Sequence, residues 1–315
     1  MSYQTTNSVN STNTRIYPQR WYDPVLAYFF RLAASGLVPV SWFAPKLPDE
    51  IERKKVDGHF NLEIISHCWN YSNMLAYQLS SFVNYPPTKL TVTVTVFYAK
   101  EDIETQELLD FIETHKVENV IWNWQPLSKD QLFRRGIGRN RAALESKADW
   151  VWFTDCDIIF HKGCLDSTAE QLQGRTDTLV FPLSERATPM LAQNDPMLQK
   201  GRKPQLVDIE SEEFLTLYRD RAKGEYQIVH GDVARAGGYC STLSIYQTPS
   251  PTWCKCYDDR AYRWLLGTQG KGLEITGCYQ IRHVQKGRYK KGSIWTKLRS
   301  KIRHLQARVR EPSSK

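Results

Sequence analysis

Asp155 and Asp157 stand two residues apart at the end of Trp150-Val-Trp-Phe-Thr-Asp-Cys-Asp157, where an apolar and β-branched run meets two carboxylates. A short run of this type reads as a buried strand. If the backbone stays extended, side chains two apart share a face and leave the strand together. Two carboxylates so placed suit a hard divalent cation that keeps open positions for phosphate oxygens. The same spacing also suits turn residues or a helix N-cap. Upstream, Gly136-Ile-Gly-Arg139-Asn-Arg141 opens a helical pattern. Arginines near a helix start add to the positive dipole end and the free N–H groups there, a setting that attracts phosphate. A solvated helix face is the other reading of Arg139 and Arg141.

The elements that must position these groups alternate. Leu62–Ser66, Leu90–Tyr98, Asn119–Trp122 and the Trp150 run read as strands, and helical patterns lie between them. Such alternation predicts an α/β domain with a largely parallel, Rossmann-like sheet and helices on both faces. In open α/β sheets, ligands bind outside the carboxyl ends of the strands. The loops His67-Cys68-Trp69-Asn70 and Tyr98–Asp102, with Arg139, Arg141, Asp155 and Asp157, should therefore border one crevice. Gly136-x-Gly138 lacks the third glycine and the preceding strand of a dinucleotide fingerprint. A later strand is expected at Thr178–Phe181, and Ser184–Glu213 reads as loops on the acceptor side. Tyr226–Val233 reads as a strand, Gly237-Gly238 as a tight turn, and Asp258–Gly267 as a helix. Cys278–Val284 reads as a last strand, carrying His283.

Composition narrows the class. The chain has 315 residues, 24% charged and 41% hydrophobic, enough for a substantial core. Its net charge of +8 is concentrated: residues 282–315 hold twelve Lys/Arg and one acid, leaving 30 basic and 33 acidic residues elsewhere. That distribution argues against nucleic acid as a partner of the fold. Seven scattered cysteines form neither a disulfide framework nor a paired zinc pattern, which favours a reducing, cytoplasmic setting. The first 20 residues are polar and lack the order of a signal peptide. Residues 25–43 are mostly apolar, but Arg31 and Pro39 interrupt them, so the segment reads as a helix packed on the domain or lying against a membrane. Leu26, Phe29, Phe30 and Ala33 should share its inner side. Residues 44–55 read as a linker.

Residues 62–290 resemble the family 2 glycosyltransferases and, more broadly, nucleotide-sugar-dependent transferases of the glycosyltransferase A-type fold. The resemblance is carried by Ile64-Ile-Ser-His-Cys-Trp-Asn70, by Gly138-Arg-Asn-Arg-Ala-Ala-Leu-Glu145 leading to Asp149-Trp-Val-Trp-Phe-Thr-Asp-Cys-Asp157, and by Tyr257-Asp258-Asp259-Arg-Ala-Tyr-Arg263. It implies that His67, Cys68, Trp69, Asn70, Tyr98, Arg139, Arg141 and Asp155 bind the nucleotide. It also implies that Asp155 and Asp157 hold Mn2+ or Mg2+, with His283 able to complete the metal site. Asp258 and Asp259 match the acidic pair that holds the catalytic base. Two departures stand out: Tyr98-Ala-Lys100 replaces the acidic residues often found after the second strand, and Asp258-Asp259 replaces a Glu-Asp pair. Asp259 is the expected base, because Arg263 lies one turn later on the same face. Asp258 is expected to serve mainly as a helix-start residue.

The implied function is metal-dependent transfer of a sugar from a nucleotide-diphosphate sugar, UDP before GDP, to a glycan or lipid-linked acceptor hydroxyl, with inversion. A nucleotidyltransferase of related fold and a non-catalytic membrane-associated binding module are the alternatives. The expected organisation is an N-terminal extension over 1–60, a catalytic domain over 61–290 and a basic amphipathic tail over 291–315. Trp295, Leu298, Ile302, Leu305 and Val309 recur at helical spacing among basic residues, so 286–310 is expected to meet an anionic membrane surface, the inner face of the membrane for a cytoplasmic protein.

Overall fold

The apolar and β-branched runs do pair as strands. In the computed structural model, which describes residues 14–192, 194–210, 214–253 and 257–283, β1 (Phe60–His67) lies between β2 (Leu90–Tyr98) and β4 (Trp150–Phe153), parallel to both. The outer neighbour of β2 is β3 (Val120–Pro126), also parallel. On the other flank come β9 (Gln227–His230), β6 (Leu179–Pro182) and β10 (Lys271–Leu273), giving the order β10-β6-β9-β4-β1-β2-β3. Only β9 runs against its neighbours. The expected α/β architecture, a largely parallel mixed sheet, is what the chain forms.

Helices cover both faces. Ser66, on one face of β1, donates to Gln78 of α2 (Ser72–Asn84) at 2.5 Å. His67, on the opposite face, meets Gly138 of α5 (Arg135–Glu145). A Cβ on Gly138 would overlap the His67 ring and come within 2.9 Å of Phe97, so only glycine lets α5 approach the sheet this closely.

Three departures from the expected layout bear on the site. First, β9 ends at His230, and residues 231–237 form a helix, α8 (Gly231–Gly237). The His230 ring caps it by accepting from the Asp232 N–H at 3.2 Å. Second, the polar stretch after β6 begins with a strand, β7 (Ser184–Ala187), which joins β5 (Ile158–Phe160), β11 (Cys278–Gln280) and β8 (Leu215–Tyr218) in a small sheet of order β5-β11-β7-β8. Its strands are three or four residues long and largely polar in β7, too short for the alternation to register.

Third, the N-terminal segment packs on the domain, one of its two expected positions, but with a different inner side. Helix α1 (Asp23–Leu32) buries Phe30 and, just beyond its end, Ala33 and Ala34. Phe29, expected on the same side, faces outward at 41% exposure. The stretch read as a linker is strapped down: Arg53 donates to the Thr176 carbonyl at 2.7 Å and to the Thr178 hydroxyl at 2.9 Å. Val56 behind it is buried. The basic tail over 286–310 lies outside the described residues.

Candidate active site

The four residues Thr154–Asp157 link β4 to β5 as a turn, not as a continuation of the strand. The Thr154 N–H bonds the Ile65 carbonyl (3.0 Å), and the Ile158 N–H closes the turn on the Asp155 carbonyl (3.2 Å). Buried Gln78 pins it from α2, its amide donating to the carbonyls of Asp155 and Ile158, each at 2.9 Å. The turn separates two carboxylates that an extended backbone would present side by side. Asp155 keeps 37% of its side chain exposed, whereas Asp157 is 6% exposed as a residue. The Asp157 carbonyl accepts from the Ile281 N–H at 3.1 Å, which brings the strand leading to His283 alongside.

Two arginines of α5 grip Asp155. Arg135, at the first position of the helix, forms an ion pair with its Oδ1. Arg139 donates Nη2 to the same oxygen at 3.2 Å. Arg139 is fully buried and spans the site: it also reaches the carbonyls of Thr154 (3.2 Å) and Gly224 (3.1 Å) and the Tyr239 hydroxyl (2.9 Å). It is therefore a cross-link that orients Asp155, with both of its Nη groups donating within the protein. The adjacent Asn140 accepts from the Tyr239 N–H at 2.9 Å, which anchors the turn after α8. Gly238 in that turn has φ of 59° and leaves no room for a Cβ beside Asn140.

Arg141 is elsewhere. Together with Glu63, Thr95, Asn123, Gln125 and Glu145 it lines a groove of about 460 Å³ between α5 and the β1–β3 face. Burial there pushes the Glu63 carboxyl up, while hydrogen bonds from Ser146 and Thr95 pull it down. Arg139 and Arg141, read as a pair at the phosphates, thus serve different parts of the molecule.

The second acidic pair opens α9 (Asp258–Leu265), with Tyr257 at the N-cap position. Asp258 is not a solvent-facing helix-start residue. It is fully buried, and Arg135 Nη2 lies 3.9 Å from its Oδ1. Neither carboxylate oxygen of Asp258 has a hydrogen-bond partner among the described residues. One guanidinium therefore stands between Asp155 and Asp258. Asp259 keeps 31% of its side chain exposed and pairs with Arg263 Nη1 at 3.6 Å, the i, i+4 contact anticipated from spacing. Arg263 is itself held by the Ala222 carbonyl at 2.6 Å. The Asp259 side chain packs over Gly224, the residue whose carbonyl takes Arg139.

The loop after β1 forms the opposite wall. His67 stacks on Phe97 with ring centroids 4.9 Å apart. Burial first, then the nearby Arg139 and Arg135, hold its pKa well below 6.5, so the ring is neutral at physiological pH. Cys68 is buried and bonds Thr105 Oγ1 at 3.2 Å. Trp69 is half-buried, with Phe133 against its edge and Lys129 Nζ 4.7 Å above the ring. Asn70 has φ of 50°, and its N–H donates to Asp102 at 2.6 Å. Asp102 also caps α3 (Ile103–Glu113), so it ties this loop to the one after β2. Tyr98 is buried at the end of β2, its carbonyl accepting from Leu127 (2.8 Å).

His283 is also buried and lies against Tyr71, whose hydroxyl bonds the imidazole. Among the described residues no three His, Cys, Asp or Glu side chains converge as a ready cation cage. A Mg2+- or Mn2+-type centre would find one accessible carboxylate at this turn, that of Asp155, whose Oδ1 already pairs with Arg135 and Arg139. Such ions take one or two carboxylates and fill their remaining positions with phosphate and water, and Asp155 presents an accessible carboxylate two residues from Asp157.

Sequence reading missed Arg135, Gln78 and Tyr239. Arg135 carries a signal, since Arg134-Arg135 immediately precedes the glycines from which the helix was read. Gln78 lies within the buried helix α2 and Tyr239 in the turn after α8, and neither carries one.

No protein-family model matches the chain, and no curated protein matches it. Among solved structures, the chain is similar to the mannosyltransferase PcManGT from Pyrobaculum calidifontis in complex with GDP-Man and Mn2+, at 14% identity and a TM-score of 0.43, over 93% of this chain and 77% of that one. It is also similar to S. aureus TarS 1-349 in complex with UDP, at 15% identity and a TM-score of 0.43, over 70% of this chain and 60% of that one. For the same protein with UDP-GlcNAc the identity is 13%, the TM-score 0.43 and the coverage 72% and 60%. The chain thus spans 60% of the length of these two TarS chains.

Proposed function

We propose that the protein is a metal-dependent glycosyltransferase that moves a sugar from a nucleotide-diphosphate sugar, a UDP-sugar in first place, to an acceptor hydroxyl with inversion. The observation that carries this reading is the array Asp155–Arg135–Asp258, which joins the turn at the carboxyl end of β4 to the acidic pair opening α9. On this reading the donor site and the candidate base next to Asp258 would share one crevice. Asp155 and Asp157 would hold Mn2+ or Mg2+, with His283 the candidate third ligand. The bound cation would neutralise charge developing on the diphosphate leaving group. Arg139 fixes the Asp155 carboxylate, and Arg135 sets its distance from Asp258. His67, Cys68, Trp69, Asn70 and Tyr98 form the nucleotide wall, where the half-buried Trp69 ring offers a stacking surface and neutral His67 adds no charge.

Asp259 takes the proton of the acceptor hydroxyl. It is the exposed member of the pair, and the Arg263 guanidinium 3.6 Å away orients its carboxylate. Asp258 acts through Arg135 as a positioning residue. The basic segment 286–310 would add peripheral contact with anionic membrane.

The direct test is incubation with a panel of UDP- and GDP-sugars and Mn2+. Release of nucleoside diphosphate is expected, whereas pyrophosphate release would indicate nucleotidyl transfer. Asp157→Asn should weaken Mn2+-dependent nucleotide binding by roughly tenfold or more, the scale of losing one charged hydrogen-bonding or ligand contact, with the melting temperature preserved. Unchanged metal-dependent affinity, read by calorimetry, removes Asp157 from the site. Retained affinity in His283→Ala removes that imidazole from the metal site.

A further inference from the structure

Fifteen large hydrophobic side chains are exposed among the described residues, and ten of them lie between Ile16 and Ile51. The cluster is ordered. Trp21, Val25, Tyr28, Phe29 and Leu32 follow an i, i+4, i+7, i+8, i+11 pattern, a single stripe along the outer side of α1. Its inner side carries buried Phe30, with Leu26 and Ala27 packed against the core. Helix α1 is therefore apolar on two sides and covered on one. Leu37 (75% exposed) and Trp42 (74%) extend the outer surface beyond the helix. An exposed apolar surface of this extent marks an interaction site.

Its chemistry selects the partner. Four of the ten are Trp or Tyr (Trp21, Tyr22, Tyr28 and Trp42), the residues that settle where hydrocarbon meets headgroups. Residues 15–47 carry Arg15, Arg20, Arg31 and Lys46 against the one acid Asp23, a net +3 beside the apolar stripe. Cations flanking an apolar face match an anionic leaflet. No helix among the described residues is long and apolar enough to cross a bilayer. We infer that residues 21–42 form a surface that lies in the headgroup boundary of a membrane containing anionic lipid.

The surface is fastened to α9. Arg260 donates to the Ala34 carbonyl at 3.1 Å, Arg31 lies over the Tyr257 ring at 4.3 Å, and Phe43 packs on Trp264 at 5.7 Å. Docking would seat that end of the crevice at the lipid. On the transferase reading, and only on it, this is where a lipid-linked acceptor is presented.

The test is sedimentation of the full chain, without nucleotide, on phosphatidylcholine vesicles with and without phosphatidylglycerol. The parent is compared with Trp21→Ser/Leu37→Ser/Trp42→Ser, three exposed positions whose change leaves the core intact. The triple variant should partition at least about tenfold more weakly, since binding scales with the apolar area inserted, while keeping its melting temperature. Equal partitioning of parent and variant, or no binding by the parent to either vesicle, overturns the inference. So does a lipid-free parent that is dimeric while the triple variant is monomeric, which gives the surface to a second copy. Because no nucleotide is present, failure here leaves the transferase reading untouched.

Discussion

Asp259→Asn should lose sugar transfer by about a hundredfold or more, the scale of general-base catalysis, while metal-dependent donor binding stays within twofold or so of the parent. The two lesions separate because Asp259 lies on α9 beside Arg263, away from the turn that carries Asp155 and Asp157. An asparagine fills the same volume and still meets Arg263, but cannot take a proton. Asp258→Asn has a different signature. Its carboxylate is fully buried next to Arg135, which also grips Asp155. Its loss should therefore weaken donor binding as well as turnover, beyond the roughly 1 kcal/mol of a helix-start residue. Single-turnover assays beside calorimetry read the difference. Normal turnover by Asp259→Asn with a dead Asp258→Asn would move the base to the buried position. Normal turnover by both would sink this mechanism.

Arg139→Met should cost roughly 3 kcal/mol of stability, the lower end of what breaking a buried charge network costs. The Asp155 contact adds little to that sum, because its carboxylate is more than a third exposed and water screens the pair. The cost comes from the Thr154 and Gly224 carbonyls and the Tyr239 hydroxyl, buried groups that lose a charged donor. For a domain of this size that corresponds to roughly 5 °C in melting temperature. Arg139→Lys should recover little, since one ammonium cannot donate in the four directions the planar fork covers. Thermal melts of both variants decide the matter. A methionine variant as stable as the parent would mean the buried guanidinium repays no more than its own desolvation.

The strands and the site were legible to different depths, for physical reasons. Leu90–Tyr98 was readable to the residue, and the start of Trp150–Phe153 as well, because each is a continuous apolar or β-branched run, largely buried in the first and wholly buried in the second. The Asp259–Arg263 pair was equally readable, since helical spacing alone brings the two together. What escaped depends on distant contacts. Asp155 and Asp157 share a face only if the strand continues, and Gln78, from another helix, instead holds a turn there. Asp258 resembles any acidic residue at a helix start until Arg135 is seen beside it. His283 carries no local sign of its Tyr71 partner, 212 residues away in the chain. Arg139 and Arg141 look equivalent in sequence, yet two residues of helix turn them roughly 200° apart, one into the core and the other into a separate groove.

The antiparallel strand β9 also governs the order in which the chain can mature on the ribosome. Strands β1 to β4 emerge in sequence and can pair as they appear, but the free side of Trp150–Phe153 waits for Gln227–His230, some 74 residues later (153 to 227). At roughly 5–20 residues per second that is about 4–15 s of synthesis. Throughout it the nascent sheet presents an unpaired edge of Trp-Val-Trp-Phe, the kind of edge that recruits a neighbouring chain. Limited proteolysis of stalled chains should show β4 protected only once His230 has cleared the exit tunnel, and protection in shorter chains would contradict this order. Slowing synthesis between residues 154 and 226 should accordingly lower the yield of native protein, and lowering the density of translating ribosomes should raise it.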